Sequence, residues 1–133
     1  MTNIEIRRLY VHKDERGWLA EVLGIEHLVN RKEFGQIHIT TAHPNFVKGN
    51  HYHTRRYEWF CMMKGTGLLV LEDILTGERE EILIDDGNLI TVRIPPGVAH
   101  AIKNIGNDMM FLLVYNEEPF DPQDPDTFAK KVI

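Results

Sequence analysis

His51 and His53, one residue apart, are followed by Glu58, and a third histidine, His100, stands just behind a Pro95-Pro96-Gly97 turn. Three imidazoles and a carboxylate form a donor set for one divalent ion, because neutral nitrogen and ionised oxygen donors suit zinc, iron, manganese, nickel or copper. With only these protein donors, coordination positions stay open for water or substrate. In an extended strand alternate side chains share a face, so His51 and His53 point one way and Tyr52 the other. Glu58 falls in the aromatic and apolar run 57–64, read as a second strand and expected to pair beside the first so that its carboxylate reaches the histidines. His100 must arrive from far along the chain, and the rigid Pro-Pro-Gly turn delivers it. A His-X-His pair alone is a weak signal, and His12, His27 and His43 read as surface or loop residues. The pattern gains its specificity from Glu58, Gly65, Pro95, Gly97, His100 and Asn104 together.

These donors need a scaffold of short strands. Apolar runs separated by polar turns recur along the chain, over residues 4–12, 17–23, 35–41, 51–53, 57–64, 67–75, 79–84, 89–94, 100–105 and 109–115. Thr76-Gly77 marks a hairpin turn and Asp85-Asp86-Gly87-Asn88 another, while residues 25–32 read as a short helical turn or loop. Many short strands with regularly spaced turns specify an all-β fold of two packed sheets, a jelly-roll barrel. No repeat or linker divides it, so one domain over 1–133 is expected, with a barrel core at about 35–115. The stretch 116–133 is too rich in proline and acid for helix or central strand. It is expected as an extended arm whose Phe120 and Phe128 tuck against the barrel or a neighbouring subunit. Strand parity puts Gln36, His38 and Thr40 on one face and Ile37 and Ile39 on the other. Phe60 and Met62 share Glu58's face and should line the barrel beside the donors. Trp59, Cys61 and Met63 face the other way, into the inter-sheet core or a partner.

The chain carries 15 basic and 20 acidic residues, a net charge of -5 that leaves no electrostatic footprint for nucleic acid. Lys48, Arg55, Arg56 and Arg93 are still available for an anionic ligand, and arginine suits bidentate phosphate contacts. The single cysteine, Cys61, lies in an apolar strand and reads as a small core residue in a reducing compartment. There is no apolar leader and no run of membrane-spanning length, so the expectation is a soluble cytoplasmic protein without a membrane partner.

On these residues the chain resembles the cupins. Their first motif is matched by His51, His53, Glu58 and Gly65, and their second by Pro95, Gly97, His100 and Asn104. The opening glycines differ: Asn45 stands where the first motif begins, and Gly87 lies two residues early in the second. The likeness covers about residues 35–115 and implies a double-stranded β-helix that pairs as a homodimer. A narrower likeness rests on Lys48-Gly49-Asn50-His51-Tyr52-His53, on Ile94-Pro95-Pro96-Gly97, and on the ending Phe120-Asp121-Pro122 to Pro125-Asp126-Thr127. There the chain resembles the C-terminal cupin of bifunctional capsular-polysaccharide enzymes and, more distantly, dTDP-4-keto-6-deoxyhexose 3,5-epimerases and 3,4-ketoisomerases. The resemblance implies a sugar-nucleotide epimerase or isomerase of surface-polysaccharide biosynthesis. Its substrate would be a nucleoside-diphosphate 4-keto-6-deoxy sugar and its metal zinc first, with iron, manganese or nickel as alternatives. In those enzymes the cupin follows a nucleotide-binding reductase. No Gly-X-Gly-X-X-Gly occurs here, so the expectation is a lone cupin served by a separate reductase.

A ketone at C4 acidifies the C3 proton, and its removal gives an enolate that is reprotonated from the other face or relayed to a neighbouring carbon. Such a reaction needs a base, an acid and a group that holds the developing oxyanion. A metal held by His51, His53, Glu58 and His100 fits the last task. In metal-free relatives the histidine at the position of His51 is itself the base, whereas a metal-bound histidine has no lone pair to spare. Either His51 is a ligand and the base is His38 or Tyr115, or the site is metal-free and His51 is the base. The presence of both Glu58 and His100 favours the first. Gln36, Lys48, Arg55, Phe60, Met62 and Arg93 complete the expected substrate contacts. Two other readings stay open: a different metal cupin such as an iron dioxygenase, and a non-catalytic sugar- or metabolite-binding cupin.

Overall fold

The computed structural model describes residues 3–133, and the described residues are strand and turn apart from one 3-10 turn at Ile25–His27. The strands are β1 (Glu5–Arg8), β2 (Val11–Asp14), β3 (Gly17–Ala20), β4 (Gln36–Ala42), β5 (Val47–Tyr52), β6 (Glu58–Lys64), β7 (Thr66–Asp73), β8 (Arg79–Asp85), β9 (Ile90–Ile94), β10 (Val98–Asn104), β11 (Met110–Asn116) and β12 (Phe128–Ala129). One sheet has the order β1-β9-β6-β11-β4 and the other β12-β5-β10-β7-β8, with β2 and β3 as a separate hairpin. All pairings are antiparallel. The non-sequential order follows from a chain that repeatedly crosses between sheets.

Alternating residues from both sheets fill the space between them. Phe60 and Met62 of β6, Val92 and Ile94 of β9 and Leu112 and Val114 of β11 meet Leu69 and Leu71 of β7 and Ile102 of β10. Burying each such side chain contributes roughly 1.5–3 kcal/mol, so this layer is the main adhesive of the sandwich. The outer faces are covered too. Leu9, Cys61 and Leu89 pack with Val11, Ala20 and Val22 on one side, and Val70, Ala99 and Ala101 pack with Val132 on the other. Double coverage explains why β6 reads as a nearly unbroken apolar run rather than as an alternating one.

Several sequence expectations change. Residues 4–12 are two strands in different sheets, because Leu9 turns inward against Leu89 and breaks the run. The strand expected at 51–53 begins earlier, at Val47, and His53 lies just beyond its end. β5 and β6 do not pair side by side: they belong to opposite sheets, and residues 53–57 form the corner between them. Trp59 and Cys61 sit on the outer face beneath the N-terminal segment rather than in the inter-sheet core, and Met63 is exposed. The tail adds β12 to the edge of β5 and stacks Phe128 on Tyr52 at 5.4 Å, while Phe120 reaches the cleft described next.

Candidate metal centre

His51 and His100 are direct cross-strand partners on β5 and β10, and the ladder slips immediately after them. The slip leaves Asn50 as a bulge residue at φ 58°, a left-handed conformation that asparagine tolerates better than most residues. Gly49 beside it has φ 102°, and a Cβ there would lie 2.7 Å from the His100 carbonyl oxygen. Only glycine permits so close an approach. His53 follows the strand end, where its carbonyl accepts the Gly97 N–H at 2.8 Å, so the Pro-Pro-Gly turn is tied to the histidine segment. Glu58, at the start of β6, faces all three imidazoles from the opposite sheet. The four donor atoms lie within 4.8 Å of one another.

The hydrogen bonds orient these side chains toward one point. His53 Nδ1 is 2.7 Å from the Asp126 carbonyl and His100 Nδ1 is 3.1 Å from the Val98 carbonyl. A carbonyl oxygen only accepts, so each Nδ1 carries a proton and each Nε2 is the atom left facing the centre and Glu58; burial would lower His100, but Glu58 outweighs it and raises it. His53 Nε2 meets Glu58 Oε1. The buried His100 Nε2 has no hydrogen-bond partner and lies 3.5 Å from Glu58 Oε2. Burial and the neighbouring His100 push the His51 imidazole down to about 4, which leaves it neutral at pH 7. Burial alone would raise Glu58, but His100 and His53 outweigh it and hold the carboxyl well below the usual range. An ionised carboxylate, neutral imidazole and an orphaned buried nitrogen converging on one point fit a divalent transition metal.

The donors lie in a cleft of about 390 Å³ whose walls include Gln36, His38, Lys48, Arg56, Phe60 and Phe120. Gln36 Oε1 accepts the Phe120 N–H at 2.9 Å. His38 is paired through its backbone with Val114 of β11 and faces the cleft, its imidazole making no hydrogen bond among the described residues. Phe60 stands edge-on to His100 at 5.7 Å, whereas Met62 is buried in the core behind it. Tyr115, Arg55 and Arg93 are not brought to the cleft. Tyr115 lies on the outer face of β11, where its hydroxyl accepts the Gly35 N–H at 2.9 Å. Arg93 packs over the Tyr57 ring at 5.0 Å and lies 3.5 Å from Glu5. Arg55 is exposed and pairs with Glu118 at 3.3 Å and Asp124 at 3.2 Å.

Arg56, one of the four cations available for an anionic ligand, is buried in the cleft wall and donates to the Pro125 carbonyl at 3.1 Å. Asp126, deep in the tail, had no local signal. A second cavity of about 460 Å³ lies behind the same wall, on the outer face, lined by Trp59, Cys61, Thr91, Leu113 and Tyr115 beneath residues 22–34. Glu117 ties that segment down by accepting the Val29, Asn30 and Trp59 N–H groups.

Two antiparallel sheets in this order, closed over a three-histidine and one-glutamate cluster, define a cupin jelly roll. The family model described as Polysaccharide biosynthesis C-terminal domain matches residues 12–128, and the chain belongs to that family. It is 35% identical over 122 residues to a UDP-2-acetamido-2,6-beta-L-arabino-hexul-4-ose reductase of Pseudomonas aeruginosa, covering 92% of this chain and 31% of that protein. To the probable low-salt glycan biosynthesis epimerase Agl13 of Haloferax volcanii it is 28% identical over 130 residues, covering 93% and 83%. Among solved structures, the capsular polysaccharide assembling protein CapF from Staphylococcus aureus aligns with a TM-score of 0.73 and 30% identity, over 93% of this chain and 34% of that one. The dTDP-6-deoxy-D-glucose-3,5-epimerase RmlC from Legionella pneumophila aligns at 0.85 with 19% identity, over 100% and 75%, a likeness of fold. The chain thus spans about a third of the length of the P. aeruginosa and S. aureus proteins.

Proposed function

We propose that this chain is a metal-dependent sugar-nucleotide epimerase or isomerase of surface-polysaccharide biosynthesis, acting at C3 of a nucleoside-diphosphate 4-keto-6-deoxy sugar. The observation that carries the reading is the cleft itself: four converging metal donors, an unbonded histidine and two cations line one opening. His51, His53, Glu58 and His100 would hold the ion, with zinc the first choice, and a bound ion would supply Lewis acidity toward a carbonyl oxygen. The donor role removes His51 from proton transfer and leaves the C3 proton to His38; inversion is completed when water in the cleft protonates the opposite face of the enolate and His38 gives its proton to solvent. Lys48 and Arg56 would meet the diphosphate, and Arg56 arrives with its guanidinium already positioned by the tail. Gln36 fixes Phe120 at the rim, where with Phe60 it offers apolar wall to the sugar or base.

The names of the relatives support this reading, since one is a reductase of a UDP-hexulose and another a glycan epimerase. A 4-keto product calls for a reductase to trap it, so a reductase is the expected partner activity, and a cytoplasmic homodimer the expected state. Metal-loaded protein incubated with UDP- and dTDP-4-keto-6-deoxy sugars in D2O should wash deuterium into C3. No exchange with any of them refutes the assignment.

A further inference from the structure

We infer that the C-terminal segment, residues 125–133, is a structural part of the metal centre, and that Asp126 is a positioning residue for His53. The tail grips the His51-Tyr52-His53 segment on both sides. Ahead of it, Asn50 accepts the Lys130 N–H through its carbonyl at 2.9 Å and the Val132 N–H through its side chain at 2.8 Å. Asn50 is the bulge residue that aims His51, so these bonds hold the bulge in its left-handed conformation. Behind it, the Asp126 carboxylate accepts the Thr54 N–H at 2.9 Å, the Arg55 N–H at 3.0 Å and the Thr54 hydroxyl.

Those bonds fix the orientation of Asp126, which is buried and left-handed at φ 46°. Its own carbonyl is thereby pointed at His53 Nδ1, 2.7 Å away. The bond selects the Nδ1–H tautomer, turns the ring and leaves Nε2 to the centre. An acceptor behind a ligating histidine typically governs metal affinity by 10–100-fold. Here that acceptor comes from a segment more than seventy residues away in sequence, which reads as a loose arm. The same segment holds Arg56 through the Pro125 carbonyl, so one strap sets both the donors and the cleft cation.

The inference rests on the metal reading above, and the test separates the two. Zinc affinity is measured by competition with a chromogenic chelator for wild type, Asp126→Gly and Asp126→Asn, with circular dichroism as the control for folding. Glycine keeps the left-handed backbone and deletes the carboxylate, so a 10–100-fold loss of affinity is expected. Asparagine tolerates the same backbone and restores one acceptor oxygen, so it should recover most of that loss. Nitrogen NMR of the zinc-loaded wild type should show His53 protonated at Nδ1, with that proton protected from exchange, and faster exchange in Asp126→Gly. Asp126→Gly affinity within twofold of wild type overturns the inference, as does a wild-type His53 that ligates through Nδ1. The second outcome is decisive even where the glycine variant does not fold. A wild-type chain that binds no divalent metal refutes the metal reading and this inference with it. Equal binding by wild type and variant refutes the inference alone.

Discussion

Gly49→Ala tests whether the approach of β5 to β10 sets the geometry of the metal centre. Alanine at φ 102° carries backbone strain of roughly 1–3 kcal/mol. Its Cβ would stand 2.7 Å from the His100 carbonyl oxygen and 3.1 Å from the Ala101 Cα. An ordinary carbon to oxygen contact is about 3.3 Å, so the strands must part by roughly 0.6 Å at the pair that carries His51 and His100. Weakening one ladder hydrogen bond adds about 1 kcal/mol, for a total loss of about 2–4 kcal/mol. Coordination distances in metal sites lie within about 0.2 Å of their preferred values, less than this displacement, so zinc affinity should drop about tenfold. Gly77→Ala is the matched control: its φ is 74° and a Cβ there meets nothing within 4 Å. It should cost about 1 kcal/mol and leave zinc binding unchanged. Urea unfolding of the metal-free variants and chelator competition of the loaded ones read both quantities. A Gly49→Ala loss no larger than that of Gly77→Ala, or an unchanged zinc affinity, would refute the reasoning.

His100→Ala should abolish stoichiometric metal while leaving the β-sheet spectrum intact, read by metal analysis and circular dichroism; full metal retention contradicts the ligand assignment. His51, held at about 4 against an ordinary 6.5, makes the metal-free chain pH-sensitive in a defined direction. The unfolded state binds the proton more tightly, so this group's contribution is complete above about pH 6.5, falls as pH drops toward 4, and is flat below. Urea titrations of wild type and His51→Gln at several pH values should diverge in that window. Parallel curves would show that His51 is not perturbed.

The barrel and the donors were legible because both are written in local spacing. Strand parity placed His38, Phe60 and Gln36 on the correct faces, and Asn45, standing where cupins carry glycine, adopts φ 72° and so does a glycine's work. What failed was long-range information. Nothing in residues 51–64 distinguishes pairing beside β5 from crossing to the other sheet, because a strand buried on both faces looks the same in either place. Arg55 and Arg56 are neighbours in the sequence, yet the corner sends one to solvent and one into the cleft wall. Tyr115 has the opposite parity to Val114 and Asn116, which was readable once β11 was fixed at Met110–Asn116. The tail's proline and acid content concealed Asp126, whose role arises only from where the chain end lands.

The three histidines belong with β5 and β10, and Glu58 belongs to the facing sheet. An ion held by all four would therefore cross-link the sandwich, and the width of the cleft would be fixed by coordination bond lengths rather than by side-chain packing. Any breathing that parts the sheets would then strain the contact between such an ion and Glu58. Opening of the cleft and retention of such an ion would then be one mechanical property, carried by Glu58.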